Sequence, residues 1–247
     1  MIKIATRLFY KLRGVSLERS AKNKVAKLKD GEYRPKYEIP YVCQYASREM
    51  AERFVQNDEY LKEDPRWRES GAQALDEYVF WAPKLCGMAC FSMILHALRR
   101  PTSKLVELGK KAFAAGVYKK DPANPKRLIG MLHAPFLKFV KSYGLDGKLL
   151  WHIGANAVAD EILKNNFVIA SVSNQIRCRS AKPTDKTGHL VLMHGFKILN
   201  GMISGFYIHN PSGFYVVGNA KSQENNFVLT EDFLNCFSGR IIVLRPK

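Results

Sequence analysis

Cys86 opens the run Cys86-Gly-Met-Ala-Cys90-Phe-Ser-Met-Ile-Leu-His-Ala-Leu98, in which nearly every residue is apolar or small. Such a run reads as a helix covered by protein on both faces, and Arg99-Arg100-Pro101 supplies a cationic last turn and a stop. A thiol on the first turn of that helix meets the positive end of the macrodipole and unpaired backbone amides, both of which favour the thiolate. Gly87 adds no side chain, so a substrate carbonyl has room to approach the sulfur and the Cys86 amide. The chemistry that suits this position is nucleophilic attack on a carbonyl; the other reading is a small hydrophobe in a core.

A thiol nucleophile needs a base, a group that orients the base, and donors for the oxyanion. Six histidines are present, at 96, 133, 152, 189, 194 and 209. His96 falls inside the apolar run and reads as a core residue, while His133 and His152 have no evident local partner. His189 follows Gly188 where a loop gives way to the strand Leu190-Val-Leu-Met-His194-Gly195, a place from which a side chain meets a cleft; His194, five residues on, points to the other face. His189 is the base this pattern favours. Asn210, in Ile-His-Asn210-Pro-Ser-Gly, offers a side-chain carbonyl to the second imidazole N–H, and equally suits a turn.

The elements that must carry these residues change character along the chain. Met50, Ala51, Phe54 and Val55 share a helical face with Ser47 as N-cap, and Ala72 to Tyr78 forms another short helix before the Cys86 helix. Thr102 or Ser103 caps a helix to about Ala115, with Gly116 beyond its end, and Asp121-Pro-Ala-Asn-Pro125 is loop. Leu132, Phe136, Phe139 and Val140 mark a helix closed by Gly144; Val158, Ile162 and Leu163 mark another. From Phe167 the period becomes that of strands, at 167–173, 188–199, 205–209, 214–217 and 240–244, with Thr230 capping a short helix before the last. Helices followed by an antiparallel-looking sheet describe an α+β domain.

Four segments stand in order: Ile39-Pro-Tyr-Val-Cys-Gln44, Cys86-Gly-Met-Ala-Cys-Phe-Ser-Met-Ile-Leu, Gly-His189-Leu-Val-Leu-Met-His-Gly-Phe and Ile-His-Asn210-Pro-Ser-Gly. Together, over about residues 39 to 245, they resemble the papain-like fold of cysteine peptidase family thirty-nine, the bacteriocin-processing peptidases and their relatives. The resemblance implies Cys86 as nucleophile, His189 as base and acid, Asn210 as orienting residue and Gln44 as oxyanion donor. Two departures stand out: that family usually has Asp where Asn210 stands, and its Gln lies a few residues before the Cys, whereas Gln44 is 42 positions upstream of Cys86. A neutral acceptor still fixes the imidazole tautomer.

Length and composition bound the rest. With 247 residues the chain buries one substantial core, divided here into a basic N-terminal extension, 1–36, and a catalytic domain, 37–247. The extension carries eleven Lys or Arg against three acids, and Ile4, Leu8 and Leu12 recur opposite Lys3, Arg7 and Lys11. It suits contact with an anionic surface, although a helix packing one stripe on its own domain is preferred. Five cysteines without a CxxC pair, and His189 and His194 without the spacing of a helical zinc pair, predict no disulfide framework, no metal and no other cofactor. With no signal peptide and no transmembrane run, a cytoplasmic setting is expected.

The net charge of +17 points to an anionic partner. No RNA- or DNA-binding motif is present, so the expected partner is an acidic protein and not nucleic acid. The function expected is cysteine-dependent acyl transfer through an acyl-thioester, with an amide-forming acyltransferase fed by an acidic acyl or peptidyl carrier protein placed first, as in relatives of biosynthetic pathways. A peptidase cleaving a peptide or leader sequence is the alternative, and a non-catalytic basic binding protein a third reading.

Overall fold

The computed structural model describes the backbone of residues 2–213, 215–217, 220–222 and 224–247, and side chains outside 1–7, 125–126 and 214–223. The chain begins with α1 (Ile2–Val25) and β1 (Gly31–Tyr33), then passes through α2 (Ala51–Gln56), α3 (Leu75–Trp81), α4 (Cys86–Ala97) and α5 (Leu105–Ala114). A hairpin of β2 (Lys119–Asp121) and β3 (Asn124–Ile129) leads to α6 (His133–Phe139), β4 (Leu145–Trp151) and α7 (Ala155–Leu163). The remainder is β5 (Phe167–Ser173), β6 (Gly188–Leu199), β7 (Met202–His209), β8 (Tyr215–Val217), β9 (Ala220–Ser222), β10 (Asn226–Leu229), α8 (Thr230–Cys236) and β11 (Phe237–Pro246).

The main sheet runs β10-β7-β6-β5-β11-β4, with β1 paired to the far half of β6, Gly31 opposite Ile198. Every neighbouring pair is antiparallel. All seven residues of β5 are buried, because helices cover both faces of the sheet and a strand there needs no polar side. Phe167 and Ile169 enter one core with Phe91 of α4 and Phe136 of α6; Val168, Ala170 and Val172 enter a second core with Val158 and Ile162 of α7. Phe91 is fully buried, with its ring edge-on to Phe136 at 5.6 Å and to Tyr143 at 5.1 Å, so Phe91→Ala would cost about 3–5 kcal/mol. The molecule is thus an α+β protein with α4 laid against β6 and β5.

Several local expectations change. Ser47 does not cap α2; its hydroxyl donates to Asp64 at 2.6 Å. Leu105–Ala114 begins after Lys104 with no side-chain cap, and Thr102 donates instead to the Ser103 carbonyl. Thr230 lies inside α8 and donates to the Ile203 carbonyl at 2.6 Å, with Leu229 at the cap position. In each case a tertiary or neighbouring acceptor takes the hydroxyl that a local cap would use. The loop expected at 121–125 is the turn of the β2–β3 hairpin, and β4 was not expected at all. Phe214, the first residue of the strand expected at 214–217, lies outside the described residues.

Part of the segment before residue 37 packs into the fold. Gly14, Ala21 and Val25 of α1 are buried, the last two in the core beneath α7, and a Cβ on Gly14 would stand 2.3 Å from the Trp151 carbonyl oxygen. Glu18 accepts from the amides of Gly154, Asn156 and Ala157 at 2.9, 3.0 and 2.9 Å, serving as the cap that Gly154 cannot provide for α7. α1 therefore packs one stripe on its own domain; the side chains of Lys3, Ile4 and Arg7 lie outside the described residues. Among the described residues no single helix is long and apolar enough to cross a membrane.

Candidate active site

Cys86 is the first residue of α4, following a turn in which Pro83 sits at the start of a short 3-10 segment. Gly87 packs closely there: a Cβ would lie 2.9 Å from Leu190 Cδ1 and 2.9 Å from Met131 Sδ, so those side chains would have to shift. Gly87 also lines the cleft beside Cys86. Leu190 joins helix to strand through its backbone, with its amide toward the Cys86 sulfur and its carbonyl accepting the Cys90 thiol at 3.7 Å.

His189 is second in β6 and 3% exposed. Its Nε2 lies 2.8 Å from Asn210 Oδ1 and 3.1 Å from Ser212 Oγ. An amide oxygen only accepts, so Nε2 carries the proton and Nδ1 is left as the ring's basic nitrogen, a tautomer assigned by the network around it. Asn210, 0% exposed, stands just past β7; its Oδ1 also accepts from the Ser212 amide at 3.3 Å, and its backbone carbonyl accepts from Tyr41 at 2.9 Å. The Asn-Pro-Ser-Gly turn and the imidazole partner are therefore the same residue in two roles.

Cys86, Gly188 and His189 sit where two arms of a cleft meet, with volumes of about 400 and 380 Å³. The larger arm reaches Met131, His133, Lys84 and Arg240, and no carboxylate lines it among the described residues. The other arm holds Gln44, Tyr45, Asp58, Arg177 and Ser212. Gln44 thus reaches the same cleft as Cys86 despite its distance in sequence. Its backbone amide donates to the Pro211 carbonyl at 2.8 Å and its Nε2 to the Ala82 carbonyl at 3.0 Å, leaving the second Nε2 hydrogen available. The intervening segment is tied down by buried Asp64, which accepts from the Ser47 amide at 3.1 Å, the Arg66 amide at 3.0 Å and the Tyr78 hydroxyl.

The electrostatics differ from the thiolate expected at a helix start. Burial pushes the Cys86 thiol up, against the opposing amides of Leu190 and Gly87 and the charge of Arg177. Burial, and then Arg177, draw the His189 imidazole down to about 3. Both shifts favour the neutral forms, thiol at Cys86 and imidazole at His189. Arg177 and Ser212 were missed by sequence reasoning. Arg177 donates to the Asn174 carbonyl at 3.1 Å and to Ser212 Oγ, and its Nε has no partner among the described residues. The one available signal was the position of Ser212, two residues after Asn210.

Cys90 and Cys236 are buried, whereas Cys178 is exposed. Exposure leaves Cys178 open to alkylation whatever the state of Cys86, so speed of labelling does not by itself single out a nucleophile. Among the described residues no group of three or more His, Cys, Asp or Glu is placed to hold a metal ion.

No protein-family profile matches the chain, and no curated protein does. Among solved structures the chain is similar to a double glycine motif protease from an AMS/PCAT transporter in complex with the leader peptide, at 18% identity and a TM-score of 0.38, covering 66% of this chain and 84% of that one. It is also similar to the peptidase domain of Streptococcus ComA, a bi-functional ABC transporter involved in a quorum sensing pathway, at 13% identity and a TM-score of 0.42, covering 66% and 93%. Neither likeness reaches a level that assigns the chain to a family.

Proposed function

We propose that the chain is a cysteine peptidase-like enzyme that forms an acyl-thioester on Cys86. The observation that carries this is the 2.8 Å contact of His189 Nε2 with Asn210 Oδ1, which leaves Nδ1 basic in the cleft that Cys86 lines. In the first step Nδ1 takes the thiol proton as sulfur bonds to the substrate carbonyl carbon. The Cys86 amide at the helix start and Gln44 Nε2 donate to the oxyanion. Collapse expels the leaving amine or thiol, which takes the proton back from His189. Water, deprotonated by the same imidazole, then releases a free acid, which makes the overall reaction hydrolysis of a peptide or other acyl compound.

A second reading, transfer of the acyl group to an amine from an acidic acyl or peptidyl carrier protein, is favoured by one feature. The arm lined by Lys84, His133 and Arg240 without a carboxylate, on a chain of net charge +17, suits a donor that carries negative charge. Intact-protein mass after incubation with peptide and thioester acyl donors tests the chemistry. An adduct is expected that disappears in Cys86→Ala and persists in Cys178→Ser. Turnover surviving in Cys86→Ala, or an adduct that follows Cys178, would overturn the assignment. Product analysis with and without added amine separates the two readings: free acid alone means hydrolysis, amide means transfer. A carrier-bound donor that loses rate with salt, beside a small donor that does not, would mark the acidic partner.

A further inference from the structure

α1 has apolar residues on two faces. One is turned to the domain, where Gly14, Ala21 and Val25 are buried and Leu17 packs beside them. The other is turned away, with Leu8, Phe9, Leu12 and Val15 being 55%, 59%, 63% and 50% exposed. At about 100° per residue, positions 8, 12 and 15 form one stripe, opposite the stripe of 10, 14, 17 and 21. Half of the exposed large hydrophobics among the described residues lie on this helix, which is far from the scattering expected of a free protein surface.

The outward stripe is edged by cations. Lys11 and Arg13 are exposed on its two sides, Arg19 continues it, and none of the three pairs with a carboxylate among the described residues. The helix's one acid, Glu18, is turned inward onto the start of α7. An apolar face between basic flanks, on a helix with no acid pointing out, is the arrangement that lies in the plane of an anionic lipid surface, with apolar side chains among the acyl chains and cations at the headgroups. A second copy is a poorer occupant, since it would bring a surface of the same sign, from a chain of net charge +17, against this one. We propose that the outward face of α1 docks this protein on an anionic membrane surface.

Co-sedimentation of the full chain with phosphatidylcholine vesicles, with and without phosphatidylserine, tests this. Binding is expected only to the phosphatidylserine vesicles and is released by added salt. The double substitution Leu8→Glu with Leu12→Glu should weaken it on the order of tenfold or more, because each leucine loses its burial in lipid. Neither leucine belongs to either core, so the thermal unfolding midpoint should not move. Absence of binding to anionic vesicles, or equal binding to both kinds, overturns the proposal with the unaltered protein. So does unchanged binding by the double variant, or a dimer in analytical ultracentrifugation that the same variant disperses, which would give the face to a second copy.

Discussion

The strands β6 and β7 carry two histidine clusters a few residues apart, and their surroundings differ. His189 is held by Asn210 and Ser212 at Nε2 and lines the cleft. His194 stacks on His209 with ring centroids 4.0 Å apart, and its Nδ1 accepts from Arg34 Nη1 at 3.1 Å. Both nitrogens of His209 are engaged, Nε2 with the Ile39 carbonyl at 2.9 Å and Nδ1 with the Asn225 amide at 3.1 Å. Burial depresses all three imidazoles, His189 to about 3 and His194 to about 2. A perturbed pKa therefore fails to separate the two clusters. What separates them is that His189, unlike His194 and His209, lines the same cleft as the Cys86 thiol.

The largest test of that contrast is His189→Ala, expected to lower turnover on the order of a thousandfold, since neither the thiol proton nor the leaving group is then served. His209→Ala at the same assay should keep most of its rate, and a reversal of the two results would move the active site to the stacked pair. Asn210→Ala should cost roughly tenfold to a hundredfold in kcat, because the ring loses the acceptor that fixes its tautomer while keeping its place in β6.

Acid stability sharpens the comparison further. The unfolded imidazole titrates near about 6.5, above both folded values, so the neutral folded form is stabilising above that pH and the contribution is lost as pH falls toward the folded pKa. Each of His189 and His194 then destabilises the fold by about 3 kcal/mol on going down to about pH 4.5. His194→Gln keeps an acceptor for Arg34 and removes one titrating group, so denaturant unfolding as a function of pH should give a flatter acid limb with little change in turnover. An unchanged slope would show that His194 takes up its proton equally in the folded and unfolded chains. The smallest effect is expected of Ser212→Ala, a loss of about two- to fivefold in kcat, as it removes a secondary partner of Nε2 and leaves Asn210 in place.

Much of this site was legible because its carriers are regular. The Cys86 helix and the strands at 167–173 and 188–199 follow from their apolar periods, and the sequence order of Cys86, His189 and Asn210 matches where the elements end. Ser212 and Arg177 escaped, because their roles rest on contacts made across the cleft and not on any local pattern. β4 escaped because Asp146, Gly147 and Lys148 interrupt its apolar run, as an edge strand that pairs only with β11 allows. The caps read from Ser47 and Thr230 failed for the reason that Arg177 went unseen: the partners, Asp64 and the Ile203 carbonyl, lie elsewhere in the chain.

The carboxylate of Glu18, holding three amides at the start of α7, gives α1 a mechanical character. From residue 18 back to residue 8 the helix extends about 15 Å, at about 1.5 Å per residue. Because Glu18, the close approach of Gly14 to Trp151 and the packing of Ala21 and Val25 hold the helix along the body, this segment is a keel and not a leash. Whatever holds its far end sets the height and tilt of the whole molecule, and with them the direction from which a substrate must come to the mouth of the cleft. Glu18→Ala would take away the cap of α7 and leave Gly14, Ala21 and Val25 to hold the helix in place, without touching a residue of the cleft.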